Sequence, residues 1–162
     1  MIKTGQGEAR MQQNRAPNQC DGSDANFGIG TLAFITYVAV HRDRFLMTIV
    51  RHGSNKILSQ AVEYGGVVYL AGITATDVTQ GARGQTEQIL KTIDDLLAAA
   101  NSHKSRILSA NIWVSDIRFR DDMNLAWTAW ADPKNLPARA TVEAKMADPK
   151  ILVEIMVVAA KN

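Results

Sequence analysis

The run ILVEIMVVAA, Ile151 to Ala160, puts apolar side chains on both faces of any extended strand and leaves Glu154 as its single charge. Ile151, Val153, Ile155 and Val157 fall on one face, and Leu152, Met156 and Val158 on the other. A strand of this kind must be covered from both sides. What the rest of the chain can supply as cover therefore limits the fold.

Upstream, Thr48 to Arg51 reads as a short strand, and Leu58 to Tyr64 and Val67 to Ile73 as two more joined by Gly65-Gly66, a tight-hairpin signal. A helix follows from about Arg83 to Asn101, with Ile89, Leu90, Ile93, Leu96, Leu97 and Ala100 at helical spacing. Next come a strand from about Ile107 to Val114 and a helix from about Arg120 to Ala131. Asp121 and Asp122 suit that helix's positive end, and Met123, Trp127 and Trp130 form its stripe. Pro133 and Pro137 close it and lead into LPARATVEAK, where Ala138, Ala140, Val142 and Ala144 alternate with Arg139, Thr141, Glu143 and Lys145. The order ββαβαββ predicts an α+β domain with two helices on one face of a mostly antiparallel sheet. Two helices cover one face only, so the second apolar face calls for another subunit. Glu154 then sits in or beside an interface, where a carboxylate needs a partner.

If Met146 pairs with Ile151 across the Asp148-Pro149 turn, the last two strands form a hairpin in which Glu143 faces Glu154 and Arg139 faces Val158. Arg139 and Glu154 then share the face away from the helices, four residues apart in level, or roughly 13 Å. Their cooperation requires Arg139 of one subunit to approach Glu154 of another. The residues alone leave Arg139 either as a solvated strand residue or as an anion ligand.

Composition narrows the classes of function. The net charge of +2, from 18 Lys+Arg against 16 Asp+Glu, is not gathered into any basic block, which argues against nucleic acid and leaves a small anion open. The only cysteine is Cys20, so no intrachain disulfide forms and a cytoplasmic location is expected. The apolar run Gly30 to Val40 is too short to span a membrane and lacks a cleavage site. His41, His52 and His103 have no metal-site spacing, and the sequence implies no cofactor. Residues 1–46 are rich in Gln, Asn, Gly and Asp and read as a disordered or extraneous extension, with Met47 a possible translation start; residues 47–162 form the domain. The alternative is that TLAFITYVAV docks as an extra strand.

PARATVE followed by VEI, with the arginine and glutamate 15 positions apart, stands with LSQAV (Leu58 to Val62), VVYLAG (Val67 to Gly72) and MNLAWTAW (Met123 to Trp130). Together they resemble the Rid family, also called the YjgF family, over nearly all of residues 47–162, and look closest to a bacterial branch distinct from the best-known deaminases. The resemblance implies a chorismate-mutase-like fold, a homotrimer and ligand clefts between subunits. It also implies hydrolysis of enamines and imines such as 2-aminoacrylate to 2-keto acids and ammonia. By position in matching motifs it assigns the carboxylate-binding arginine to Arg139, the water-orienting glutamate to Glu154, the interface asparagine to Asn124 and the ligand-side glycine to Gly72.

This chain departs from the family in having Leu58 where a tyrosine is usual, Ala71 in place of a serine, and Thr141 in place of a cysteine. The carboxylate clamp is kept while substrate choice is opened. Arginine's fork suits a carboxylate, and Glu154 can accept a proton from the attacking water. The leading expectation is therefore an imine or enamine deaminase. The alternatives are a non-catalytic trimer that binds 2-keto acids and, with least support from the charge, a ribonuclease.

Overall fold

The computed structural model describes residues 48–162; the expected extension over 1–46, its candidate strand, and Met47 lie outside them. Strands β1 (Val50–His52), β2 (Ala61–Tyr64), β3 (Val67–Leu70) and β4 (Ile73–Thr74) precede helix α1 (Ala82–Ala99). Strand β5 (Ile107–Val114), helix α2 (Arg120–Trp130), β6 (Ala138–Glu143) and β7 (Val153–Ala160) complete the order. The sheet runs β1-β2-β3-β7-β5-β6, with β4 also on β7.

The doubly apolar strand is at the centre. One edge of β7 pairs with β3 and β4, and the other with β5, all antiparallel. β3 and β4 act as one strand interrupted at Ala71-Gly72. Gly65 and Gly66 both have positive φ, 59° and 78°, as the two-residue turn between β2 and β3 requires. Helix α1 lays Ile89, Leu90, Ile93 and Leu97 on Val153, Ile155, Val157 and Ala159, and all eight are buried.

The expected hairpin between the last two strands does not form. β6 pairs in parallel with β5, and β5 stands between β6 and β7, so Glu143 does not face Glu154. A parallel neighbour needs a long crossover, and α2 with its proline turn supplies it. Glu143 instead accepts a hydrogen bond from the Ile117 N–H at 3.0 Å.

Gln85 ties the entry of β7 to α1. Its fully buried side chain donates to the Lys150 carbonyl and accepts from the Leu152 N–H, both at 2.9 Å. The amide thus replaces a strand neighbour just before β7, two residues short of Glu154.

Two strands from β7, Glu63 is buried in β2 on the helix-covered face and bonds His52 at 2.5 Å and Lys161. Burial raises the pKa of this carboxyl, but the hydrogen bonds and charges of Lys161 and His52 outweigh it and hold the group below its ordinary 4.5. A depressed carboxylate contributes stability above its unfolded pKa, and that contribution is lost as pH falls through the folded value. Glu63→Gln should lose about 1–3 kcal/mol at pH 7. Urea unfolding followed from pH 7 to below 4.5 should show the gap between wild type and variant closing at the acid end.

Candidate active site

Registers fix the face each candidate occupies. Arg139 lies beside Ala110, Thr141 beside Ile112 and Glu143 beside Val114, all of them core positions under the helices. The polar row of β6 therefore faces the helix side, and Ala138, Ala140 and Val142 face away, reversing the expectation for Arg139. Glu154 pairs with Trp113 on one flank and Thr74 on the other, on the face away from the helices. Arg139 is level with Val157 through Ala110, three residues from Glu154 and two strands away. That amounts to roughly 14 Å between backbones, with side chains on opposite faces. One chain does not bring them together.

Each half has its own construction. At the first, the Arg139 guanidinium carbon stands 5.1 Å from the centroid of Trp127, which is 5% exposed and meets Trp130 edge-on at 5.4 Å. The ring's negative face holds the cation and fixes the plane of its fork. Among the described residues no carboxylate pairs with Arg139, and desolvation pulls its pKa below the ordinary value. Asn124 and Thr128 of α2 join Arg139 and Trp127 along a cleft of about 510 Å³. Thr141, two residues on, holds a buried hydroxyl with no hydrogen-bond partner among the described residues.

The second half is built on a close approach. A Cβ placed on Gly72 would lie 1.9 Å from Oε1 of Glu154, so the carboxylate fills the space a side chain would need. The break between β3 and β4 leaves that gap, and Ala71 is anchored there by its N–H to the Gln60 carbonyl at 2.9 Å. Glu154 is half-buried and has no hydrogen-bond partner among the described residues. Leu58 lies in the loop between β1 and β2 and is 45% exposed.

The structure thus groups Arg139, Asn124 and Thr141 on one face, and Glu154, Gly72 and Ala71 on the other. Sequence reasoning missed Trp127 as the platform for Arg139, because its helical spacing fits core packing equally well. A cation is thus held on an aromatic face and a carboxylate against a glycine, on a chorismate-mutase-like α+β sheet with two helices on one side.

Residues 49–161 match the family model described as Endoribonuclease L-PSP. A RutC family protein of Haemophilus influenzae is 41% identical over 114 residues, covering 70% of this chain and 98% of that protein. The RutC family protein YoaB of Escherichia coli is 38% identical over the same length, covering 70% and 99%. A crystal structure of a YjgF protein family member from Neisseria meningitidis superposes with a TM-score of 0.70 at 36% identity, covering 72% of this chain and 98% of that one. The chain belongs to this YjgF/RutC family, which is the Rid family of the sequence resemblance.

Gly72→Ala should expel the Glu154 carboxylate from its place while leaving the central pairing of β7 with β5 intact. A crystal structure of the variant should show Glu154 in a different rotamer. An unmoved carboxylate would show that the gap is not what positions it.

Proposed function

We propose that the protein is a homotrimer that hydrolyses 2-imino and 2-enamino acids in clefts between subunits. Arg139 of one chain grips the carboxylate, and Glu154 of its neighbour directs water. The observation that carries this reading is the complementarity of two incomplete half-sites, which among the described residues are a cation without an anion and a carboxylate without a donor, beside an apolar face that those residues leave partly exposed. Tyr69, Met156, Val158, Trp113, Ala140 and Val142 share that face with Glu154. Tyr69 is 47% and Val142 48% exposed, and contiguous exposed apolar residues of this kind mark interaction surfaces.

In this mechanism the bidentate fork of Arg139 orients the substrate so that its imine carbon meets a water held by Glu154. Glu154 takes a proton from the water as oxygen bonds to carbon, and the C=N electron pair moves to nitrogen, which takes that proton from Glu154 to give the carbinolamine. The carbinolamine's hydroxyl proton then passes through Glu154 to the nitrogen as the C–N bond breaks, releasing ammonia and the 2-oxo acid; atoms and charge balance with one water consumed. An enamine first takes a proton on its terminal carbon to become the imine. General acid-base help of this kind is worth about 100- to 10,000-fold.

Binding without turnover uses the same clamp, and Leu58 and Ala71, which bring no hydroxyl, favour it as the second reading. RNA cleavage, the activity in the family model's description, fits less well: a phosphate-tracking groove needs several cations, and among the described residues Arg139 is the one cation lining the cleft.

With 2-iminobutanoate generated in situ, the wild type should accelerate ammonia release by at least about 100-fold, Arg139→Ala should lose nearly all of it, and Glu154→Gln should lower kcat more than it raises KM. No acceleration together with Arg139-dependent binding of 2-oxo acids would leave the binder. Light scattering should give a trimer mass, and a monomer at micromolar concentration would remove the intersubunit cleft.

A further inference from the structure

The cleft beside Arg139 is larger and more apolar than a three-carbon acid requires. The half of it carried by one chain has a volume of about 510 Å³ before a neighbour closes it, within the roughly 300–1,000 Å³ of pockets that take drug-sized ligands. Beyond Asn124, Thr128 and Arg139, its walls are Trp127, Ala131, Pro133, Leu136 and Pro137. A 2-aminoacrylate held on Arg139 has only a methylene to put there.

The apolar wall is built in advance of any ligand. Asp132 accepts hydrogen bonds from the Lys134 N–H and from the Asn135 side chain, both at 2.9 Å, and its carbonyl accepts from the Asn135 N–H at 3.1 Å. These bonds hold its carboxyl below the usual range. The turn they close contains Pro133 and is followed by Pro137, and it presents Leu136, 66% exposed, on the same cleft as Arg139. A leucine held out of the core on a braced turn, sharing a cleft with a guanidinium that has no carboxylate partner among the described residues, makes a surface that is both apolar and cationic.

We infer that this site selects 2-imino and 2-oxo acids with a large apolar side chain, branched or aromatic, which lies against Leu136 and the rings of Pro133 and Pro137 while Arg139 holds the carboxylate. The inference rests on the carboxylate-clamp reading above and adds the substrate class to it. A missing methylene in such a pocket is worth about tenfold or more, so side-chain size should dominate affinity.

Titration calorimetry with pyruvate, 4-methyl-2-oxopentanoate and phenylpyruvate tests it on the wild-type protein, Leu136→Ser, Thr128→Trp and Arg139→Ala. The two larger acids should bind at least about tenfold tighter than pyruvate. Leu136→Ser, which strips the wall, and Thr128→Trp, which fills the space from the helix, should each bring that ratio toward one. Equal affinities for all acids, still lost in Arg139→Ala, would overturn the side-chain inference and leave the clamp standing. A tenfold ratio untouched by both cleft variants would also overturn it, by putting the side chain elsewhere. Binding indifferent to Arg139→Ala would overturn the clamp and the inference together.

Discussion

The structure depends on the placement of β7 between two neighbours with both of its faces apolar. Its outer residues cannot turn to solvent without turning Val153, Ile155, Val157 and Ala159 out of the core, because strand side chains alternate strictly. The helices therefore claim one row, and the other row, with Leu152 and Met156 flanking Glu154, is left half-covered. Both features of functional interest follow from this. Glu154 is held in an apolar setting because its strand cannot move, and the face around it is one that another chain could complete.

Much of this was legible in the chain. The apolar spacing of α1, the bounds of β5 and the Gly65-Gly66 turn agree with the structure because each is a local property, set by period or by φ. Pairing is different. ARATVE records which side chains share a face but not which strand lies beside it, and the short turn before Ile151 looks like a hairpin whether or not β5 intervenes. With the partner mistaken, Arg139 went to the wrong face.

The site was legible in the same divided way. Arg139, Glu154, Gly72 and Asn124 came from residue motifs, and the structure joins Arg139 to Asn124 and Gly72 to Glu154 as separate pairs. The contact of Arg139 with Trp127 depends on the α2 crossover returning over its own strand, which no short window of sequence contains. Glu63 was hidden for a similar reason: it sits mid-strand like any polar residue, and its partner Lys161 lies 98 residues further on.

The central position of β7 also bears on how the chain is made. Chain synthesis reaches β7 after every other described element, so until it emerges from the ribosome β3 and β5 have no shared neighbour and the hydrophobic stripe of α1 has no strand to rest on. The pairings that close the sheet, such as Val67 with Ala160, are among the longest-range in the protein. Loop closure of that span is slow, and it leaves strand edges open to other nascent chains in the interval. Folding of this domain therefore waits for β7, and the pace at which β7 inserts sets how long its half-built sheet stays exposed.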